Sequence, residues 1–361
     1  MGCTGRIAVA LAVAAVSFGQ EPDVVIRSTT ELVQVHVVAT DAHGSRVADL
    51  KRGDFEVLDN HKPQPLTLFT ADRGSSVSAA SGSHAGKSAG ETETTPGYAL
   101  LVIDWLNTKY ADQIQSQEKV VKLLKSFQPR QRVALYLLGS KPRLLHDFTS
   151  DMDALVQAAE SAVPEFDEMD NTPVGRFDAR YGGATGSGPS PEEKFMHDYN
   201  RIRETLDTFE WLAERLATLP GRKTLLWLTN AFPVILPGPT MGRAPSPAII
   251  YTQDFERLLA KLNSADVAVY PIDAQGLQVL PHSRRDTMME LASRTGGNGF
   301  YDRNDLDEGM RLALEDTAMS YTLGFHAPEG AAPGIHEITV RVNRPKVKLR
   351  YRESYQIIGP N

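Results

Sequence analysis

The stretch ALLVID at 99–104 is apolar at five consecutive positions and stops on a carboxylate. Three further runs of the same kind follow: VALYLL at 133–138, TLLWLT at 224–229 and VAVYPI at 267–272. A strand that is apolar on both faces must be covered on both faces. Between these runs the apolar residues recur at helical spacing. Val120, Leu123, Leu124 and Phe127 form one such stripe, Phe209, Leu212, Leu216 and Leu219 a second, and Phe255, Leu258, Leu259 and Leu262 a third. Alternating covered strands and amphipathic helices predict an α/β fold, a doubly wound, mostly parallel sheet with helices on both faces. Residues 141–146 follow VALYLL too closely for a crossover, which predicts an antiparallel edge strand.

Outside this region the period shortens to two. In LVQVHVVAT (32–40), Val33, Val35 and Val37 alternate with Gln34 and His36; DFEVL (54–58) and residues 65–70 read as further short strands. Near the C-terminus His336, Ile338, Val340 and Val342 alternate, Asn343-Arg-Pro-Lys346 turns, and Val347, Leu349 and Tyr351 alternate again. This tail reads as a hairpin, and a hairpin alone is barely stable. The two ends of the chain are therefore expected to pair as one small β-sandwich-like module. The expected organisation is a β module over 21–72, a flexible linker over 73–96, an α/β domain over 97–325 and the hairpin over 326–361. The linker is rich in Ser, Gly and Ala and nearly free of apolar side chains. Residues 164–195, acidic and Gly-rich, are expected to be a surface loop, and 232–247 a second one directly after the third apolar run.

Residues 1–20 read as a signal peptide, with Arg6, a ten-residue apolar run over 7–16, and the small residues Ser17 and Gly19 before a cut. The run is too short to cross a bilayer. An exported protein, periplasmic or extracellular, is expected, with no transmembrane segment in the mature chain, and Cys3, the single cysteine, leaves with the signal. Across all 361 residues, 38 Lys and Arg face 45 Asp and Glu, a net charge of −7 with no long basic block. That argues against nucleic acid and against anionic membrane surfaces as partners. No H-x-x-x-H pair and no cysteine pair offers zinc ligands. No G-x-S-x-G elbow occurs, and Gly82–Ser88 is one residue short of a phosphate loop. Gly296-Gly-Asn-Gly299 reads as a turn, and Gly221-Arg-Lys223 as the solvated entrance of a strand.

In a doubly wound sheet, sites open at the carboxyl ends of the strands where their order reverses, which singles out Asp104 and Asn230. The segments there are Asp104-Trp-Leu-Asn-Thr108 and Leu228-Thr-Asn230. Over about 97–325 the chain resembles the von Willebrand factor A (VWA) domain family, whose metal-ion-dependent adhesion site reads Asp-x-Ser-x-Ser. The flanking patterns VxVxVxATDAHGxxVxDLxxxDFEVLDN and YTLGFHAPEGAAPGIHEITVRV are similar to the exported VWFA-related proteins typical of acidobacteria. The resemblance implies a non-enzymatic protein that binds a protein partner, or adheres, through this crevice. It gives Asp104 and Thr108 the first and last motif positions, Thr172 the mid-domain threonine and Asn230 the place of a second carboxylate. Leu106 stands where the middle serine belongs, and an apolar side chain offers no oxygen to Mg²⁺. The implied site is degenerate, holding no metal or binding Mg²⁺ or Mn²⁺ weakly, with Trp105 and Asn107 as partner contacts. Trp105 suits either an exposed anchor or the core, whereas Trp211, among apolar neighbours, reads as core. Two other functions fit the same residues: a periplasmic hydrolase with Asp104 as general base, which lacks a second titrating group nearby, or a structural component of the cell envelope.

Overall fold

A computed structural model describes residues 32–73, 97–126, 131–167, 176–178, 183–185, 189, 191–229, 247–273, 282–301, 306–328 and 330–357. Fifteen strands are numbered along the chain. β1 is Leu32–Thr40, β2 Phe55–Asp59, β3 Lys62–Gln64, β4 Leu68–Arg73, β5 Tyr98–Asp104, β6 Arg132–Leu138 and β7 Arg143–Thr149. They continue as β8 Arg176–Asp178, β9 Gly183–Thr185, β10 Lys223–Thr229, β11 Val267–Asp273, β12 Met319–His326, β13 Gly334–Val342, β14 Lys348–Arg350 and β15 Ser354–Ile357. The helices are α1 Tyr110–Ser126, α2 Met152–Glu160, α3 Pro191–Leu216, α4 Pro247–Ser264, α5 His282–Arg294 and α6 Leu306–Ala318.

The four apolar runs form a five-stranded sheet in the order β11-β10-β5-β6-β7. β5, β6, β10 and β11 are parallel, and β7 runs antiparallel along β6 at the edge, as the short connection requires. Alternation along each strand feeds two cores. Leu101, Ile103, Leu135 and Leu137 pack with Val120 and Leu124 of α1 and Met310 and Leu314 of α6. Leu100, Val102 and Leu138 pack on the opposite face with Phe209 and Leu212 of α3 and Leu258 and Leu259 of α4. Leu135 is wholly buried. Its truncation to Ala would cost about 2–5 kcal/mol, the transfer term plus the cavity it leaves.

The strands from the two ends of the chain form two antiparallel sheets, β14-β1-β12-β4 and β15-β13-β2-β3. Val35 pairs opposite Leu323, and Val57 opposite Val340. Val33, Val35, Val37, Leu323 and Phe325 of the first sheet share one core with Val57, Ile338, Val340 and Tyr355 of the second. The C-terminal tail is nevertheless not the expected hairpin. β13 pairs with β2 and β15, while β14 crosses to the other sheet and pairs with β1. The turn between them holds Lys346 at a positive φ of 65°. Alternation in the tail reports which faces are buried, not which neighbour each strand takes.

Two other regions depart from expectation. The stretch 164–195 is not loop throughout: β8 and β9 form a three-pair antiparallel ladder, and α3 begins at Pro191, a residue suited to the first helical position. In Gly221-Arg222-Lys223 the two basic residues are not solvated, since Arg222 and Lys223 are 7% and 4% exposed. This end of the central sheet faces the terminal strands, so its basic residues meet carbonyls instead of water. Arg222 Nη1 donates to His36 O (3.2 Å) and Nη2 to Gly296 O (2.7 Å). His36 Nε2 lies 2.8 Å from Asp266 Oδ2, and Arg352 Nη2 donates to Gln34 O at 2.7 Å. Close by, buried Asp316 is held by Arg46 and by Arg350 Nη2 at 2.7 Å. Gly296-Gly-Asn-Gly299 is the expected turn, capping α5 through Gly297 N to Ala292 O (2.8 Å). A Cβ on Gly297 would lie 1.9 Å from Val269 O, so only glycine permits this approach to β11.

Residues 1–20 and nearly all of the expected linker lie outside the described residues. Among the described residues no helix is long and apolar enough to cross a membrane.

Candidate functional site

The strand order reverses between β5 and β10, so the crevice opens at their carboxyl ends. Asp104 ends β5 there and is 1% exposed. The loop after it folds back onto the end of β6, where Leu138 O accepts from Trp105 N (2.8 Å) and Leu106 N (2.9 Å). This turn aims the backbone N–H of Asn107 at the Asp104 carboxylate. Oδ1 accepts from Asn107 N (2.9 Å) and Nδ2 (3.2 Å), and Oδ2 accepts from Asn107 Nδ2 (2.9 Å) and from Trp227 Nε1 of β10 (3.0 Å). Asn107 Nδ2 also reaches Thr205 Oγ1 on α3 at 2.9 Å. The Thr108 hydroxyl donates to the Asp104 carbonyl. Gln113 of α1 closes the loop from behind, its Nε2 donating to Trp105 O (3.2 Å) and Thr108 O (2.9 Å).

Burial pushes the Asp104 carboxyl above the ordinary carboxylate range, while the bonds from Asn107 and Trp227 pull the other way. Asp104, Asn107 and Thr108 come together as the motif requires, but they face one another. Trp105 is corrected as an exposed anchor: it is 2% exposed and packs in the core beneath α1, because the turn at Leu106 points its ring inward. Asn107, also expected at the partner surface, is 6% exposed, and its Nδ2 is spent on Asp104 and Thr205. Trp211 is corrected in the opposite sense, being 43% exposed. Thr172 and Asn230 lie outside the described residues.

A carboxylate has about four lone-pair sites. The Asp104 oxygens accept from three donor groups, Asn107 N, Asn107 Nδ2 and Trp227 Nε1, and the Thr108 hydroxyl is turned to a carbonyl. Among the described residues, Asp104 and Thr108 thus spend their oxygens within the loop and its neighbours and Leu106 offers none, and this set does not fit Mg²⁺ or Mn²⁺, which need several open oxygen ligands. The same bonds compete with any substrate proton for the Asp104 oxygens, which makes it a poor general base.

Several participants lie beyond the reach of the motif. Trp227, Thr205 and Gln113 belong to other elements, and only the folded sheet brings them to the loop. Asp273, 1% exposed, ends β11 as Asp104 ends β5, after the same Ile. Among the described residues, large apolar side chains are exposed beside this loop, next to the exposed Lys109. Tyr110 and Ile114, one turn apart at the start of α1, are 37% and 41% exposed, and Phe166 is 66% exposed with its ring edge-on to Tyr110 at 5.8 Å.

No family model and no curated protein matches the chain. Among solved structures, an aerotolerance-related membrane protein from Bacteroides fragilis superposes with TM-score 0.34 at 12% identity, over 62% of this chain and 98% of that one. BatB from Bacteroides thetaiotaomicron gives 0.32 at 10% identity, over 61% and 96%. The SpRpn10 VWA domain gives 0.32 at 12% identity, over 60% and 95%. A likeness this distant assigns no function.

Proposed function

We propose that the protein is a non-enzymatic, exported protein-binding molecule of the VWA type, which contacts its partner with the crevice face and without a metal. The observation that carries this reading is the Asp104 carboxylate, whose oxygens are filled by Asn107 and Trp227. A crevice whose carboxylate is tied up by N–H donors is poorly suited to a metal bridge or a base, but it does offer a rigid, preorganised loop. Contact then falls to the exposed apolar residues beside it, Tyr110, Ile114 and Phe166, the kind of side chains that anchor interfaces. The strand order and the Asp104-to-Thr108 pattern support the VWA reading. The division into an α/β domain carried on a β module built from both chain ends belongs to the same proposal, as does removal of residues 1–20.

Comparative capture from extracts of the source cells tests it, using wild type, Ile114→Asp and Phe166→Asp, each with and without EDTA. The expected result is a partner retained by wild type in EDTA and lost from both variants. Capture abolished by EDTA, or unchanged in the variants, would overturn the proposal.

A further inference from the structure

A second surface lies away from the crevice, at the β7 edge of the central sheet, and its reading does not depend on the crevice. Here an open groove of about 640 Å³ runs between α3 and the start of β7. α3 presents to it Asn200, Arg203, Glu204, Asp207, Thr208 and Trp211, spaced at three and four residues and so forming a single helical stripe. The opposite stripe, with Ile202, Leu206, Phe209 and Ala213, is buried in the core. The floor is Tyr136 of β6 and the flank is Leu144 of β7, which pair with each other. The β6–β7 ladder shifts register on either side of Leu135, a bulge of the kind that re-aims side chains.

Three observations define what fits this groove. First, its cations already have partners: Arg143 lies 3.6 Å from Glu165, Arg203 lies 3.3 Å from Asp254, and the Arg215 guanidinium sits 4.9 Å from the Trp211 ring centroid. Second, its carboxylates do not. Among the described residues neither Glu204 nor Asp207, one turn apart on the stripe, has a hydrogen-bond or ion-pair partner. Burial, then the charge of Glu165, push the Glu204 carboxyl upward. Third, Tyr136 is only 4% exposed, yet its hydroxyl has no hydrogen-bond partner among the described residues, and its ring lies 6.0 Å from that of Trp211. Two free carboxylates beside two aromatic rings and an unspent hydroxyl make a receptor for an alkylammonium or guanidinium group.

We propose that this groove binds a lysine- or arginine-bearing extended segment of a partner polypeptide. Glu204 and Asp207 pair with the cation, Tyr136 and Trp211 line its stem, and Leu144, 47% exposed, meets an apolar neighbour on the segment. An extended chain suits the place because the central sheet ends at β7, so a segment can run along its outer edge.

Calorimetry on the full mature chain tests the proposal, with a short alternating Lys-Ser peptide, a matched Glu-Ser peptide and butylammonium as probes. The Lys-Ser peptide is expected to bind more weakly as salt rises, with no heat from the Glu-Ser peptide. The double variant E204Q/D207N and Trp211→Ala are each expected to lose about tenfold in affinity or more, whereas Trp211→Phe retains most of it. Thermal melting of each variant checks the fold, and all three sites are on the surface stripe. Equal heat from both peptides, unchanged affinity in the folded double variant, or no binding of the Lys-Ser peptide would overturn the proposal. Butylammonium binding as tightly as the peptide would overturn the polypeptide as occupant.

Discussion

The two ends of the central sheet solve one physical problem in opposite ways. At the crevice end, buried Asp104 is surrounded by neutral N–H donors from Asn107 and Trp227, and its carboxyl is pushed above the ordinary range by burial. At the other end, where the sheet meets the terminal strands, the carboxylates meet cations. Burial would raise Asp266 too, but His36, Arg222 and Arg352 overcome it and hold that carboxyl well below the ordinary range. Asp316 sits between Arg46 and Arg350. The difference teaches what each end is for. Charge pairs across two bodies of secondary structure fix their orientation, whereas neutral donors fix one loop around a carboxyl that faces inward.

Removing a partner from the charged end should have the largest effect. Asp316→Ala leaves two arginines uncompensated around a residue that is 2% exposed, and it should cost about 3–5 kcal/mol in urea unfolding. A smaller effect sharpens the comparison through pH. The raised Asp104 carboxyl contributes stability that is present below its unfolded pKa and lost as pH rises through its folded value; lowered Asp266 contributes stability present above its unfolded pKa and lost as pH falls. Difference curves of unfolding free energy against pH, wild type minus Asp104→Asn and wild type minus Asp266→Asn, should therefore slope in opposite directions across the acid range. Parallel slopes would remove the distinction between the two ends. The smallest effect is expected far from both. Arg344 pairs with Asp49 in full solvent, Nη2 to Oδ2 at 3.0 Å, and Arg344→Ala should leave the urea midpoint unchanged because such pairs are screened.

Much of the central sheet is legible from sequence because a strand covered on both faces writes itself as an uninterrupted apolar run, as in ALLVID, and because the four-residue link to β7 leaves no room for a crossover. The tail was less legible. Val340 and Leu349 announce buried faces, but which strand each joins is settled by long-range packing across the two antiparallel sheets. At the crevice the motif places Asp104, Asn107 and Thr108 together, yet it does not say which way their oxygens turn. That is decided by Trp227, 123 residues away, and by Thr205, 98 residues from Asn107. Trp105 and Trp211 show the same limit from the other side. Each has apolar neighbours in sequence, and only the turn at Leu106 and the helical phase of α3 bury the first and expose the second.

The central claim is that Asp104 is a structural carboxyl, held by its own loop and closed to cations. Its carboxyl ¹³C resonance, assigned by comparison with Asp104→Asn and followed through an acid titration with and without millimolar Mg²⁺, tests that claim most directly. The expected curve titrates above the ordinary carboxylate range and is the same with and without Mg²⁺. A midpoint at or below that range, or one that falls when Mg²⁺ is added, would contradict it.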